Sequence, residues 1–321
     1  MRKFLLLLAL FILPGTSYAL CSLSAPTATF GSVTTFAVGS TVQHTSSTTN
    51  GNCGSGTLSL LGTDNVTYAF TNSTYLSGTR AVLKSSSTGT DSIPIQMCID
   101  SACATELQLG GSYRWSSALL LGLGNSLNFN IPLYFRTLTG QVIAAGTYTT
   151  TITITVSYTV CAGLNVAGLC VGTVQTSTGT AMPFTVNLVV TNDCTTITAP
   201  NVSFGSAPLV GSFSTVQQTI NVVCSKGSTF TVGLSNGSYY SGTTRQMASG
   251  TNRLAYDIYK GTTTTTRWGP TGTDRWSSAS ATSLNADLVT RNFTYTAQIL
   301  TTQNTPAAGS YTDSVVVDLS F

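Results

Sequence analysis

The sequence predicts an all-β chain folded as two β-sandwich domains in tandem, and three observations carry that prediction. Long stretches alternate apolar and polar residues with period two, the signature of a half-buried strand. One set of landmarks recurs in the same order in each half of the chain. Beyond the first residues, no window shows a sustained helical period.

Residues 1–19 have the pattern of a secretory signal. Arg2 and Lys3 precede an apolar run from Phe4 to Leu13, Pro14 and Gly15 break it, and Ser17-Tyr18-Ala19 ends in small-residue cleavage style. The run is shorter than the roughly 20 residues that span a bilayer. Cys21 follows closely, but Leu20 stands before it where lipid attachment needs a small residue. The expected mature chain is exported and soluble.

Composition narrows the function classes. Removing Arg2 and Lys3 leaves 11 basic against 10 acidic residues, so no basic stripe for nucleic acid and no polybasic membrane anchor is expected. Charged residues make up only 7% of the chain, while Thr, Ser and Gly are abundant. Thr suits a pleated surface, and Ser and Gly suit turns. Eight cysteines in an exported chain favour disulfides.

The repeat orders the two halves. Cys21, Phe30-Gly31 and Cys53 correspond to Cys194, Phe204-Gly205 and Cys224. Tyr75-Leu76-Ser77-Gly78-Thr79-Arg80 resembles Tyr240-Ser241-Gly242-Thr243-Thr244-Arg245. Arg114-Trp115-Ser116-Ser117 matches Arg275-Trp276-Ser277-Ser278, and Ala144-Ala145-Gly146-Thr147-Tyr148-Thr149 matches Ala307-Ala308-Gly309-Ser310-Tyr311-Thr312. The repeat suggests Cys21–Cys53 and Cys194–Cys224, each joining the first strand of a domain to its second. Cross-links of this span are worth on the order of 3–4 kcal/mol in the chain-entropy account. Cys98–Cys103 and Cys161–Cys170 then pair locally.

Strand signals follow the same plan. Residues 149–160 and 183–190 alternate with period two, and at the end of the chain Val315, Val317, Leu319 and Phe321 share one face. The expected domains are 20–193 and 194–321, with the boundary just before the repeat restarts at Cys194.

Residues 194–321 resemble the spore coat protein U domain family, which includes the pilins of archaic chaperone–usher pili. The resemblance rests on Cys194, Phe204-Gly205, Cys224-Ser225-Lys226-Gly227, Arg245-Gln246-Met247, Leu254-Ala255-Tyr256-Asp257-Ile258-Tyr259, Trp268-Gly269 and Gly309-Ser310-Tyr311-Thr312-Asp313. Residues 21–160 carry a looser version, with Ile93-Pro94-Ile95-Gln96-Met97-Cys98 in place of the tyrosine-bearing strand and an added strand at 183–190. Two such domains, the first divergent, resemble the tip adhesin of such a pilus. The resemblance implies immunoglobulin-like, pilin-type sandwiches, assembly by a periplasmic chaperone and export through an outer-membrane usher to the cell surface. It also implies that the second sandwich lacks a strand, which an adjacent pilin subunit supplies from its N-terminal extension.

Two expectations follow for the ends of the chain. Cys21 comes so soon after the signal that no donor strand precedes it, as expected of a subunit that ends a fibre. Val315, Val317, Leu319 and Phe321 are expected to wall the groove that a chaperone, and later a shaft subunit, covers. The strand at 183–190 is expected to close the first sandwich from within its own chain.

A tip position implies binding, and three apolar stretches are candidates. Leu119, Leu120, Leu121 and Leu123 follow Trp115. Leu164, Val166 and Leu169 sit in the segment Cys161–Cys170, and Ile99 sits in the tight loop Cys98–Cys103. These are expected to project as hydrophobic fingers that hold an abiotic or host surface and support biofilm formation. An alternative is a glycan site built from Tyr113, Trp115, Asn125 and Asn128. A further alternative is a self-assembling coat protein without a receptor.

No enzyme is expected, and no cofactor or metal is implied. The single histidine, His44, lies in a Thr/Ser-rich segment without the partners a triad needs. The acids are scattered rather than paired, and Cys98-x4-Cys103 lacks neighbouring ligands for a metal. Arg245 and Arg275 are assigned no chemistry beyond anchoring loops.

Overall fold

The computed structural model describes residues 21–54, 64–85, 89–116, 120, 128–166 and 169–321, with the backbone alone for 162–166. The signal segment, Leu119, Leu121, Leu123 and Asn125 lie outside the described residues, as do the side chains of Leu164 and Val166.

The first half builds β1 (Ser22–Ser24), β2 (Ala28–Thr34), a short helix α1 (Thr35–Ser40), β3 (His44–Asn52), β4 (Asn65–Ser73), β5 (Leu76–Ser77) and β6 (Arg80–Lys84). It continues with β7 (Ser92–Cys98), β8 (Ser112–Ser116), β9 (Asn128–Thr137), β10 (Gly146–Val166) and β11 (Leu169–Thr191). The single turn of helix was not legible as a period; Thr34 caps it by accepting a hydrogen bond from Ala37 N. The strands run in the order β1-β3-β9-β7-β6-β10-β11-β2, and β4 pairs with β10 and β8. The sheet folds over on itself. Across the two layers, Thr49 on β3 meets Tyr68 on β4 at 2.6 Å, and the rings of Phe135 on β9 and Phe184 on β11 lie 5.8 Å apart.

The second half builds β12 (Cys194–Thr198), β13 (Val216–Cys224), β14 (Thr231–Leu234), β15 (Arg245–Ser249), β16 (Asn252–Lys260), β17 (Trp276–Ser277), β18 (Ser283–Leu284), β19 (Thr290–Ile299) and β20 (Val317–Ser320). One sheet runs β12-β13-β19-β16-β15, with β18 against β19, and the other runs β17-β14-β20. Trp268 fills the space between them and touches Trp276, Phe293 and Tyr295 at ring distances of 4.9, 6.1 and 5.9 Å. The chain is thus all-β, with one hydrophobic core in each half.

Four disulfides are present: Cys21–Cys53, Cys98–Cys103, Cys161–Cys170 and Cys194–Cys224. The first joins the residue before β1 to the residue after its antiparallel partner β3, and the last joins β12 to β13, so both tie the opening strand to the strand it pairs with. The repeated Phe-Gly pair also has a backbone reason. Gly31 and Gly205 take φ of +80° and +74°, a region that L side chains rarely adopt.

β10 and β11 form one long antiparallel hairpin, from the pair Gly146–Val190 to the pair Val166–Leu169. Its strands exceed the alternating segments 149–160 and 183–190 read from the sequence, because Gly163 and Gly172 interrupt the apolar alternation within the ladder and Gly179 sits at a register shift, beyond which pairing resumes. The last part of β11 lies between β10 and β2, antiparallel to the first and parallel to the second. Along it Met182, Phe184, Val186, Leu188 and Val190 are all buried, and the residues between them face outward. Period two therefore delivers five apolar side chains to one core.

Phe184→Ala should destabilise the first sandwich by about 3–5 kcal/mol, the usual cost of emptying a buried aromatic site. Val189→Ala, one strand position from the core face and partly exposed, should change stability by no more than about 0.5 kcal/mol. Denaturant unfolding of the full chain, followed by fluorescence and circular dichroism, measures both. Equal effects would show that β11 does not plug the core.

Candidate strand-acceptor groove

The repeat makes each sandwich a control for the other. The Gly-x-Tyr-Thr landmark aligns Ile152, Ile154, Val156 and Tyr158 on β10 with Val315, Val317, Leu319 and Phe321. In the first sandwich all four are buried, because β11 lies alongside them. In the second, Val315, Val317 and Leu319 are only half-buried and Phe321 is 70% exposed. Among the described residues β20 pairs with β14 on one side and with nothing on the other.

The opposite wall tells the same story. In the first sandwich Ala28 is fully buried and pairs with Val186 of β11. Its counterpart Val202 is half-buried, and residues 199–207 run without a strand partner. The Phe-Gly segment thus forms a regular strand only where β11 supplies a ladder. Between these walls lies a groove of about 370 Å³. Val202 and Phe204 form one side, Tyr311, Val315 and Val317 the other, and Ile220, Met247, Tyr256, Ile258 and Tyr295 line its base.

A polar frame holds the groove walls in place. Arg245 is completely buried at the start of β15. It forms an ion pair with Asp257 and donates to the carbonyls of Ser235, Leu234 and Trp268 at 2.9, 3.1 and 2.8 Å. Arg267 reaches the other oxygen of Asp257 at 2.9 Å and also meets Asp274. This satisfied network ties β14, β15 and β16 to the tryptophan-bearing loop. Arg275 holds Asp318 of β20 at 2.6 Å and donates to Thr231 of β14 at 2.9 Å. Arg245 and Arg275 therefore anchor the strands beside the open β20 edge.

Asp313 stands at the end of the groove. It accepts from the Tyr256 hydroxyl at 2.6 Å and from the backbone N–H groups of Ser238 and Ser314, both at 2.8 Å. Burial and the hydrogen bond to this carboxylate push the Tyr256 hydroxyl far above its ordinary pKa. Burial alone pushes Tyr295, also on the groove floor, up to about 12.

The other sequence candidates fall into three groups. Leu120 is fully buried in the core of the first sandwich, which corrects its expected place on a projecting finger. Ile99 is corrected too: it packs against the same core, because the Cys98–Cys103 loop folds back so that Ile99 N donates to Thr105 O at 3.2 Å. Leu169 is 75% exposed near the tip of the β10–β11 hairpin, and Val171 and Val174 are exposed beside it. Those two valines were missed because Cys161–Cys170 reads as a closed loop, whereas β10 and β11 continue through it as a ladder. The alternation of Leu169, Val171 and Thr173 was the available signal.

The glycan alternative loses its stacking platform. Trp115 is buried and packs against Tyr68 and Tyr113 at 5.0 and 4.7 Å. Asn128 is half-buried on β9. His44 is exposed at the start of β3. Among the described residues no group of three or more His, Cys, Asp or Glu side chains is placed to hold a metal.

Comparison with known proteins now adds to this geometry. The model of the spore coat protein U domain matches residues 8–155 and again 180–318. The chain belongs to the spore coat protein U domain family. The family domain thus occurs twice in this family member, the second match beginning within β11. A comparison with curated protein sequences returns no match. Among solved structures, the chain is similar to the tip adhesion subunit in the CsuC–CsuE chaperone–tip adhesion subunit pre-assembly complex from archaic chaperone–usher Csu pili of Acinetobacter baumannii. The identity is 26%, the match covers 94% of this chain and 100% of the other, and the TM-score is 0.55. The CupB6 tip adhesin from Pseudomonas aeruginosa matches at 12% identity over 94% of this chain and 92% of its own, with a TM-score of 0.38. CfaE, the adhesive subunit of CFA/I fimbria of enterotoxigenic Escherichia coli, matches at 9% identity over 83% and 84%, with a TM-score of 0.37. At these scores the last two carry no structural inference.

The groove chemistry predicts an alkaline limit to stability. Tyr295 has a folded pKa of about 12 against an unfolded value near 10. Its contribution is fully present below about pH 10 and is lost between about pH 10 and 12, at up to ~1.4 kcal/mol per pH unit. Denaturant unfolding across that window should show the loss, and Tyr295→Phe should reduce the slope by one tyrosine's share, the remainder belonging to other raised tyrosines such as Tyr256 and Tyr68. An unchanged slope in the variant would place the titration elsewhere.

Proposed function

We propose that this chain is the non-enzymatic tip subunit of a chaperone–usher pilus, mediating adhesion and biofilm formation through apolar side chains at one end of its first sandwich. The observation that carries this is the contrast between the two halves. β11 closes the first sandwich from within, and the second presents an apolar groove and a free strand edge at the equivalent place. Similarity to a chaperone-bound tip subunit across nearly the whole chain supports the same reading.

The partners follow from the physics of the groove. An exposed apolar cleft beside an unpaired strand edge invites aggregation. A periplasmic chaperone covers it first, an outer-membrane usher then exports the complex, and an adjacent pilin subunit fills the groove with its N-terminal strand by β-augmentation. The strand that fits has alternating apolar side chains like those of β11. Val315, Val317, Leu319 and Phe321 contact it from the β20 side, and the polar frame around Arg245 keeps that side in place. The subunit sits at the cell surface with its first domain, residues 20–193, outermost and its second, residues 194–321, joined to the shaft.

Surface contact falls to the β10–β11 hairpin. Leu169, Val171 and Val174 are exposed there, and Leu164 and Val166 belong to the same turn of chain. Cys161–Cys170 cross-links the two strands of this arm, which reduces the entropy lost on contact. An apolar finger of this kind suits an abiotic or host surface with little chemical selectivity.

Each exposed Leu or Val that becomes buried on contact is worth roughly 1.5–3 kcal/mol. Leu169→Asp combined with Val171→Asp should therefore lower adhesion of piliated cells to polystyrene at least about tenfold, with pilus number unchanged. Normal adhesion by that variant would sink the finger reading. Val317→Asp should block incorporation of the subunit into pili while leaving the first sandwich folded. Residues 194–321 produced without a chaperone should aggregate; a stable soluble monomer would count against an open groove.

A further inference from the structure

Only Asn192 and Asp193 separate β11 from β12, so the chain passes from one sandwich to the other with almost no slack. A short linker restrains distance but leaves rotation free, and relative motion is the default for domains joined through small interfaces. Two further attachments are built here from residues outside the linker.

The first is a buried hydroxyl pair. Thr35 Oγ1, at the start of α1, lies 2.6 Å from Ser225 Oγ in the second sandwich. Both residues are buried. Ser225 also fixes the linker itself: its Oγ accepts from Asp193 N at 2.7 Å, and its N–H donates to Asp193 O at 2.8 Å. The second is an ion pair between Lys226 and the buried carboxylate of Asp91, just before β7. The other oxygen of Asp91 accepts from Ala144 N at 2.8 Å, and Ala144 forms a parallel bridge with Lys226. Asp91 thus gathers the loop before β10 and the loop after β13 onto one carboxylate.

We infer that Thr35, Asp91 and Ala144 on one side, with Ser225 and Lys226 on the other, form a clamp that holds the two sandwiches in a single orientation. On the first sandwich the attachments come from separate segments, the start of α1 and the loops before β7 and β10. On the second they converge on Ser225 and Lys226 beside Asp193, so turning one sandwich about the linker must break one contact or the other. The sequence carries a matching asymmetry. After Cys224 stands Ser225-Lys226-Gly227, whereas after Cys53 stands Gly54-Ser55-Gly56, which lacks the cation. Removing Lys226 leaves the buried Asp91 carboxylate uncompensated, so the pair is sensitive to that change.

Small-angle X-ray scattering of the full chain, kept monomeric by filling its groove with a synthetic peptide of alternating apolar residues, tests this. The wild type should fit one rigid arrangement. Lys226→Glu, which sets like charges against each other, should raise the radius of gyration and broaden the distance distribution, and Lys226→Met should do so to a lesser extent. A lock through Ala144→Cys with Gly227→Cys should restore the wild-type profile in the Lys226→Glu background. A β-carbon at Gly227 would stand 3.8 Å from that of Ala144, within disulfide reach, but φ of +70° there strains an L residue, so the lock is scored only where mass spectrometry shows the fifth disulfide formed. Mass spectrometry confirming the four native disulfides separates domain release from misfolding. A wild-type profile that already requires several orientations, an unchanged profile in Lys226→Glu with its disulfides intact, or a lock that fails to restore the profile would each overturn the clamp.

Discussion

Backbone hydrogen bonding across a sandwich edge governs both halves of this protein. A strand beside an apolar core offers N–H and C=O groups along its whole edge, and burying them without partners is costly. In the first sandwich β10 meets that demand with β11 on one side and β4 and β6 on the other. In the second, β20 has β14 alone. The four side chains that β11 buries in one half are consequently half-buried or exposed in the other. The whole functional reading grows from that single difference in strand count.

The core residues respond to it in a consistent way. Tryptophan and arginine dominate the middle of the second sandwich, with Trp268 and Arg245 both fully buried. Arg245 finds an acid and three carbonyls there, so its charge is compensated rather than stranded. A groove wall built on such a network keeps its shape when its apolar face is uncovered. Asp313 and Asp318 extend the same logic along the final segment, pinning it through Tyr256 and Arg275 to the sheet beneath.

Much of this was legible in the sequence because repeats and period two survive folding. The alternation of Val315, Val317 and Leu319 marked one face, and the recurring Gly-x-Tyr-Thr landmark marked where that face begins. The two long-range cysteine pairs followed from the same repeat. The groove's other wall was less visible. Val202 and Phe204 have no alternating run of their own, and Met247 and Tyr311 come from elements whose packing only tertiary structure decides. Leu120 and Ile99 misled for a different reason. Apolar residues between glycines, or inside a tight cysteine loop, fit an exposed finger and a buried turn equally well, and local pattern does not distinguish them. The length of the β10–β11 hairpin was hidden by its glycines, which weaken the periodic signal while pairing continues on both sides of one register shift.

The parallel pairing of β11 with β2 has a kinetic consequence. Thr191 donates to the carbonyl of Val33 across 158 residues of chain. Contacts this remote in sequence form late, since the intervening loop must close before they are rewarded. A chain emerging vectorially from its N-terminus cannot complete its first sandwich until nearly 200 residues have appeared, when the second is about to begin. During that interval the nascent polypeptide carries two incomplete β-structures in succession, one closed later by its own strand β11 and one whose β20 edge its own chain leaves open among the described residues.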